Sequence, residues 1–190
     1  MTDKKEIIRK AAIKVMSKKG FYNTKTSEVA EEANVAVGTI YNYFKNKEDI
    51  LDYIFRYELE KRMKNLKKIK QKDLDFWEKI ESFLQFHFKE VKENMALGQI
   101  LVREKKFPEK EGSDSINKYL TLIPEIMENE IKAAIKRGEI NEAYDPEINA
   151  NIIFGAIQGI VEKAIKKEDK SMLANAPEEL VRLLRNGLIK

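Results

Sequence analysis

Hydrophobic residues recur three or four positions apart along almost the whole chain, with charged residues between them. This spacing places the hydrophobic side chains on one face of an α-helix, and it is typical of amphipathic helices that cover a core. The pattern predicts an all-α fold of about nine helices. We expect these helices near residues 3–19, 26–33, 38–44, 47–70, 73–94, 95–106, 113–137, from 146 onward, and 177–188.

Residues that favour helix ends mark several of these boundaries. Asp145 followed by Pro146 is typical of an N-cap and a first helical position. Gly138 is expected to end the seventh helix, because glycine adopts the left-handed conformation found there. Ser113 or Ser115 is expected to cap the start of the same helix.

Residues 24–50, with the sequence TKTSEVAEEANVAVGTIYNYFKNKEDI, form the most distinctive stretch. Thr26 or Ser27 is expected to cap one short helix, and Asn34, which tolerates the left-handed conformation, is expected to end it. A second short helix over residues 38–44 follows at once. A helix, a tight turn and a second helix form the helix-turn-helix pattern, whose second helix enters the major groove of DNA.

The second short helix is predicted to have a polar outer face. Ile40 and Phe44 are expected to face the core at helical spacing. The outward positions are Thr39, Tyr41, Asn42 and Tyr43. A helix this short is not stable alone in water, so its neighbours must hold it, and its outer face is free for recognition. Lys47 follows a good N-cap, Asn46, and a phosphate there would meet an ammonium group and free N–H groups.

The segment GTIYNYFKNKEDI, preceded by TSEVAEEANVAV, resembles the N-terminal DNA-binding motif of the TetR family of bacterial repressors. The resemblance implies a helix-turn-helix domain at residues 1–47 and a ligand-binding and dimerisation domain at residues 48–190. It also implies a homodimer that binds double-stranded DNA at a palindromic operator and leaves it when a small molecule enters the helical body. The residues implied to bind DNA are Thr26, Ser27, Val37, Gly38, Thr39, Tyr41, Asn42, Tyr43 and Lys47.

The resemblance also assigns roles within this set. The groove would be faced by Thr39 and Tyr41, and phosphates would be held by Thr26, Tyr43 and Lys47. Gly38 would allow a close approach to the DNA. The family often has serine and then lysine before this glycine, whereas this chain has Ala36 and Val37. The base sequence of the operator therefore does not follow from the motif.

Composition and charge support a nucleic-acid contact at one end of the chain. The chain has 190 residues, no cysteine and no apolar run that approaches the length of a membrane span. Without cysteine it can hold neither a disulfide nor a zinc–thiolate site, and a reducing cytoplasm is the expected setting. Residues 1–72 contain 18 Lys and Arg against 10 Asp and Glu, whereas residues 73–190 have a net charge of −4. The basic front favours DNA binding, and a solvated lysine-rich surface is the alternative.

The last two predicted helices indicate a homodimer. The sequence IIFGAIQGIV at residues 152–161 has Gln158 as its only polar side chain, so this eighth helix is expected to be covered on all sides. Leu180, Leu183 and Leu184 form a stripe on the ninth helix. We expect the eighth and ninth helices of two subunits to form a four-helix bundle. An ordinary monomeric core is the alternative.

The body of the chain suggests an effector but no cofactor. The segments HFKEV and FGAIQGIVEKAI are similar to the fatty-acid-degradation branch of the family (FadR-like), which responds to long-chain acyl-CoA. An apolar tunnel with few polar groups would suit an acyl-CoA or another hydrophobic small molecule. The expected ligand-binding residues are Phe83, Phe86, His87, Ile100, Leu101, Phe107, Tyr119, Ile123, Met127, Phe154 and Gln158. Lysines of residues 61–72 could hold a phosphorylated head group, and the alternative is simple core packing with a solvated basic face.

An enzyme and a protein-binding adaptor are the two other classes that such helices allow. His87 is the only histidine, so a Ser-His-Asp set would depend on it, and a di-metal bundle needs two Glu-x-x-His motifs. None of the GxGxxG, P-loop, HExxH or CxxC motifs is present. We therefore expect no catalytic site and no metal site. The adaptor differs from the DNA-binding protein in having no need of Tyr43 and Lys47 beside a helix N-terminus.

Overall fold

The computed structural model describes residues 3–104 and 114–188, and these residues form helices without any strand. This result confirms the all-α prediction. The helices of the described residues are α1 (Lys4–Lys19), α2 (Thr26–Glu32), α3 (Val37–Tyr41), α4 (Lys47–Lys70), α5 (Phe76–Glu93), α6 (Met95–Arg103), α7 (Asp114–Lys136), α8 (Pro146–Lys167) and α9 (Lys170–Leu188). Phe107 and the predicted end of the sixth helix lie outside the described residues.

Several predicted helix ends are confirmed. Asp145 is the N-cap of α8, where its carboxylate accepts a hydrogen bond from the N–H of Ile148 at 2.8 Å. Asn46 accepts one from the N–H of Asp49 at 2.8 Å at the start of α4. Asn34 and Gly138 have the left-handed backbone that was expected, with φ of 52° and 76°. Each of these ends is fixed by neighbouring residues, which the sequence shows directly.

The start of α2 differs from its prediction. Lys25 is the N-cap residue, and Thr26 and Ser27 already lie in the first helical turn. The N–H of Lys25 donates to the carboxylate of Glu28 at 3.0 Å. Glu28 therefore satisfies the N–H of the N-cap residue, and neither Thr26 nor Ser27 is the cap.

Ser115 does not cap α7, although it was one of the two serines expected to do so. This residue lies in the first turn of the helix, which starts at Asp114. Its N–H and hydroxyl group donate to the two carboxylate oxygens of Asp52, at 2.9 and 3.0 Å. Ser115 thus uses its polar groups to join α7 to α4.

α3 and α5 are shorter than predicted. α3 ends at Tyr41, and the chain continues as a turn in which the N–H of Phe44 donates to the carbonyl of Ile40 at 2.9 Å. α5 begins at Phe76, because the carboxylate of Asp75 accepts a hydrogen bond from the N–H of Glu78 at 2.8 Å.

α9 begins earlier than predicted. It starts at Lys170, after the carboxylate of Asp169 has accepted a hydrogen bond from the N–H of Ser171 at 2.9 Å. Pro177, which was expected to be its first residue, lies inside the helix. The added turns bury Leu173, and this burial offsets the backbone hydrogen bond that a proline cannot donate.

The chain forms two compact units. The first unit contains Met1–Glu60 and Met95–Tyr119, and the second contains Lys61–Asn94 and Leu120–Lys190. α4 and α7 each begin in the first unit and end in the second. The domain boundary predicted after residue 47 remains a prediction.

In the first unit, α1 packs against α2 and α6, and α2 packs against α3. Its core is apolar and fully covered, with Ile8, Ala12, Met16, Phe21, Ile40, Phe44, Ile50, Ile54 and Phe55 among its buried residues. Arg103 at the end of α6 donates to the carbonyl oxygens of Met16 and Ser17 in the last turn of α1. This contact fixes the C-terminus of α1 next to the turn that leads into α2.

In the second unit, α9 packs along α5 and also contacts α8. The buried side chains that these helices share include Phe76, Leu84, Phe88, Ile153, Ile157, Val161, Leu173 and Leu180. No helix within residues 3–104 and 114–188 is long and apolar enough to cross a membrane.

Candidate nucleic-acid interface and ligand cavity

α3 and the turn after it carry large residues that the protein itself does not cover. Tyr41 is 55% exposed and Tyr43 is 39% exposed, while Ile40 on the inner face of α3 is buried. Phe44 is also buried, as predicted from its spacing. α3 is therefore held by its apolar inner face and leaves two tyrosines available for contact with a partner.

The start of α3 has an open and weakly polar surface. Ala36 is the N-cap residue and makes no side-chain hydrogen bond. Val37 is exposed, and a Cβ atom added to Gly38 would have no protein atom within 4 Å. Another molecule can thus approach the backbone of this turn closely.

The other predicted DNA-binding residues lie around this surface. Ser27 and Asn42 are exposed, whereas Thr26 and Thr39 are partly buried. They lie on α2, on α3 and in the turn after it, and their contact with DNA remains a prediction.

Lys47 makes contacts that the sequence did not indicate. Its ammonium nitrogen Nζ donates to the carbonyl oxygens of Phe21, Tyr22 and Thr24 at 3.1, 3.0 and 3.3 Å. The same nitrogen lies 4.6 Å from the centre of the Phe21 ring. Lys47 therefore fixes the α1–α2 turn to the N-terminus of α4, in addition to any contact with a phosphate.

Buried charges connect α1 to α4. Arg9 donates to Glu6 at 2.7 Å and to the buried carboxylate of Glu58 at 3.4 Å. The hydrogen bond from Arg9 holds the pKa of Glu6 below its usual range. These contacts fix α1 against the same α4 that runs on into the second unit.

The second unit contains an apolar cavity of about 290 Å³. It is lined by Met63, Leu66, Lys67, Ile69 and Lys70 of α4, by Phe76, Lys79, Ile80 and Phe83 of α5, and by Ile123, Ile126, Met127 and Glu130 of α7. A cavity of this size is at the lower limit of those that hold small molecules.

Charged side chains also belong to the lining of this cavity. Lys67 and Lys70 are exposed and form no ion pair among the described residues, whereas Lys79 lies 3.8 Å from Glu130. His87, one turn beyond Phe83 on α5, contacts Arg62 of α4, so Phe83 lies at the end of the lining that is farther from Lys70. The cavity thus combines an apolar lining with two exposed lysines.

Three predicted ligand-binding residues line this cavity, namely Phe83, Ile123 and Met127. Ile100, Leu101 and Tyr119 are instead buried in the first unit. Phe86 faces a shallow depression on the other side of the α4–α5 pair, together with Lys68, Lys72 and Lys89. Phe154 and Gln158 are partly buried on α8 and do not line the cavity.

His87 does not line the cavity either, but lies one turn beyond Phe83. It is buried, and its Nδ1 accepts a hydrogen bond from Nε of Arg62 at 3.3 Å. This bond places the proton of the neutral ring on Nε2. Burial, together with the nearby charge of Arg62, holds the pKa of His87 well below its usual range.

The sequence did not indicate the contribution of α4 to the cavity. Met63, Leu66 and Ile69 of α4 line the cavity but were not among the residues expected to bind a ligand. The same stretch is rich in lysine, and this combination of an apolar stripe with neighbouring cations is the signal that could have identified them. Within residues 3–104 and 114–188, no three His, Asp or Glu side chains are grouped so that they could hold a metal ion.

Comparison with known families identifies the class of the protein. Residues 8–54 match the bacterial regulatory proteins of the tetR family, and residues 55–187 match the C-terminal region of YsiA-like proteins. The chain belongs to the TetR family. It is a DNA-binding transcriptional regulator, and the resemblance stated from residues 24–50 is confirmed.

The similarity to FadR regulators extends over the whole chain. The fatty acid metabolism regulator protein of Bacillus subtilis is 28% identical over 178 residues, which are 94% of this chain and 92% of that protein. The structure of FadR from Bacillus subtilis in complex with stearoyl-CoA is 29% identical, has a TM-score of 0.87, and covers 96% of this chain and 98% of its own. FadR from Bacillus halodurans is 27% identical, with a TM-score of 0.86, and covers 99% and 97% of the two chains.

These relatives are transcriptional regulators. The finding favours regulation over the two other classes that the helical pattern allowed, an adaptor and a helical-bundle enzyme.

Proposed function

We propose that this TetR-family regulator is a repressor that binds an acyl-CoA in the cavity of the second unit and then releases its operator. The observation that carries the proposal is the apolar lining of this cavity together with its exposed lysines, Lys67 and Lys70. The Bacillus subtilis relative that is 29% identical has been solved in complex with stearoyl-CoA, which supports the same class of effector.

The cavity suits the two chemical parts of an acyl-CoA. Apolar side chains of α4, α5 and α7 would surround the acyl chain, whose burial contributes most of the affinity. Lys67 and Lys70 would attract the phosphate groups of the head group. Because both lysines are exposed and form no ion pair within the described residues, their charges are available for this role.

The proposed DNA-binding face is built on α3 and its surroundings. Tyr41 and Thr39 would reach base edges, and Gly38 would let the backbone approach the DNA. Thr26, Tyr43 and Lys47 would contact phosphates and so fix the position of α3 in the groove. Ser27, Val37 and Asn42 complete the face.

A homodimer would bring two such faces to a palindromic operator. The exposed sides of α8 and α9 support this proposal. Ile152 is 57% exposed and Leu183 is 70% exposed, and Ile148 is exposed one turn before Ile152. A Cβ atom on Gly155 or on Gly159 would have no protein atom within 4 Å, so another helix can approach α8 closely. Two copies of this chain would bury these side chains in a four-helix bundle.

A thermal-shift series tests the proposed effector. Acyl-CoAs of eight to eighteen carbons are compared with free CoA and with the matching fatty acids. A ligand at about 100 times its Kd stabilises the folded protein by about 2.7 kcal/mol, so a bound acyl-CoA should raise the Tm clearly. The absence of a shift with every acyl-CoA would contradict the proposal.

Two variants identify where the head group binds. The double variant Lys67→Ala and Lys70→Ala should weaken the binding of acyl-CoA and leave the binding of a fatty acid nearly unchanged. Lys68→Ala is the matched control, because this exposed lysine lies on the same helix but faces the shallow depression instead of the cavity. An equal loss of acyl-CoA affinity in the double variant and in Lys68→Ala would show that Lys67 and Lys70 do not bind the head group specifically.

A further inference from the structure

One aromatic side chain stands at the end of the cavity lining that is nearest to His87. Phe83 lines the cavity and is buried. One turn further along α5, the ring of His87 stacks on Phe83, with 6.1 Å between the ring centroids and 27° between the planes. His87 accepts the hydrogen bond from Arg62. The ring that lies against Phe83 on that side is therefore polar, and it is hydrogen-bonded to Arg62.

The cavity is short along the direction of the helices. Its lining covers residues 63–70 of α4, 76–83 of α5 and 123–130 of α7. At the rise of 1.5 Å per residue, each stretch is roughly 10 Å long. This length indicates a medium-chain acyl group.

We infer that Phe83 limits the acyl chain of the effector, so that the cavity selects chains of about ten carbons and gains nothing from longer ones. The inference rests on the proposed acyl-CoA function and specifies the substrate class of that site. It predicts a shorter acyl chain for the effector of this protein than the stearoyl chain in the solved complex of the Bacillus subtilis relative.

The physical reason is the environment of each added methylene. A methylene that is buried among apolar side chains tightens binding about fourfold. A methylene beyond the limit has to remain in water or lie against the polar pair of Arg62 and His87. A methylene that remains in water adds nothing to the affinity. A methylene that lies against the pair would have to desolvate polar groups, which opposes binding. The affinity should therefore rise with chain length and then stop rising.

A titration with acyl-CoAs of increasing length tests this inference on the full-length protein. Trp77 is the only tryptophan, and its ring lies 5.0 Å from the ring of the cavity residue Phe76, so its fluorescence reports binding. Octanoyl-, decanoyl-, dodecanoyl- and stearoyl-CoA are compared below their micelle concentrations. From octanoyl- to decanoyl-CoA the Kd should fall about 15-fold, since two methylenes are added. From dodecanoyl- to stearoyl-CoA it should not fall further.

Phe83→Ala should move the limit, because it removes the side chain that stands at this end of the cavity. In this variant the affinity should keep rising to stearoyl-CoA. Phe88→Ala is the matched control: Phe88 is also buried on α5 and also contacts His87, at 5.5 Å between ring centroids, but it does not line the cavity. This control should keep the chain-length limit of the original protein. Phe83→Leu is the milder substitution if Phe83→Ala does not fold, and it should move the limit in the same direction.

The outcomes separate this inference from the proposed function. If the affinity of the original protein rises steadily to stearoyl-CoA, or if both Phe83 variants keep the original limit, Phe83 does not set the chain length although acyl-CoA is still the effector. If no acyl-CoA of any length changes the Trp77 fluorescence or the Tm, the proposed effector class fails and the inference fails with it.

Discussion

Arg62 and His87 form a buried hydrogen-bonded pair in the second unit, in which Nε of Arg62 donates to Nδ1 of His87 at 3.3 Å. The permanent charge of Arg62 disfavours a second positive charge on the ring, and burial disfavours it further. Nε2 of His87 is buried without a hydrogen-bond partner among the described residues. The folded protein thus keeps His87 neutral in a pH range where an unfolded chain would protonate it.

This relationship predicts a loss of stability in mild acid. The pKa of His87 is lowered by folding, so below about pH 6.5 the unfolded state binds a proton that the folded state does not bind. The free energy of unfolding should fall by up to about 2 kcal/mol from this group between pH 7.5 and pH 5.0. Urea unfolding at both pH values, at one protein concentration, measures the loss.

The variant His87→Gln provides the comparison. Its amide oxygen can still accept a hydrogen bond from Arg62, but it does not titrate in this range. The variant should lose about 2 kcal/mol less than the original protein over the same pH interval. Equal losses of unfolding free energy in the two proteins would show that the protonation of His87 on unfolding does not cause the loss.

Lys47 is predicted to have two roles, one in the fold and one on DNA. Lys47→Ala removes the hydrogen bonds to the carbonyl oxygens of Phe21, Tyr22 and Thr24, so the protein should become less stable. It should also weaken binding to every duplex and lower the salt dependence of binding by about one unit, as expected for the loss of one phosphate contact. The measurement is the slope of log Kd against log salt concentration, taken on the folded fraction.

Lys166→Ala is the control for this experiment, because Lys166 is an exposed residue of α8 in the second unit. Lys166→Ala should change neither the free energy of unfolding nor the slope of log Kd against log salt concentration. If Lys47→Ala destabilises the protein but leaves the slope unchanged, Lys47 supports the fold alone and does not contact a phosphate.

The two exposed tyrosines of the α3 region are predicted to act differently. Tyr43→Phe removes a hydroxyl group that is proposed to contact a phosphate. It should therefore lower the affinity for all duplexes by a similar factor of about 5 to 10. Tyr41→Ala removes a side chain that is proposed to face the bases, so it should change the order of preference among sequences. Selection of duplexes from a random library by each variant shows the preference. The same preferred sequence for Tyr41→Ala and for the original protein would contradict the groove role.

The proposed dimer predicts the effect of a charge on the exposed side of α8. Ile152→Glu would bury an unpaired carboxylate in the interface, so the protein should become monomeric at micromolar concentration and lose affinity for a palindromic duplex. Sedimentation equilibrium measures the mass. Lys136→Glu places a similar charge on an exposed position of α7 and should leave the mass unchanged. A variant Ile152→Glu that keeps the mass of the original protein would exclude this side of α8 from the interface.

The sequence predicted those parts of the fold that depend on local chemistry. Asp145 with Pro146 starts α8, and Gly138 follows the end of α7, as expected, because a cap is made by residues close to it in the chain. The ninth helix was predicted to begin near Pro177, and this start was wrong, because Asp169 starts α9 earlier and the burial of Leu173 supports the added turns. The preference of a proline for the first helical turn is weaker than these tertiary contacts.

The sequence predicted the cavity only in part. Phe83 and Ile123 belong to apolar stripes and do line it, whereas Leu101 belongs to a similar stripe and lies in the core of the first unit. Helical spacing shows that a side chain is buried, but it does not show against which helix. The hydrogen bonds of Lys47 to three carbonyl groups could not be predicted for the same reason, since they join residues more than twenty positions apart.

The central claim is that an acyl-CoA bound in the second unit releases DNA. A fluorescent duplex, selected from a random library by this protein, is bound by the protein and titrated with decanoyl-CoA while its anisotropy is recorded. The account predicts that the anisotropy falls to the value of the free duplex, that free CoA has no such effect, and that the double variant Lys67→Ala and Lys70→Ala requires at least tenfold more decanoyl-CoA. An anisotropy that stays at its bound value with saturating decanoyl-CoA and also with stearoyl-CoA would contradict the account.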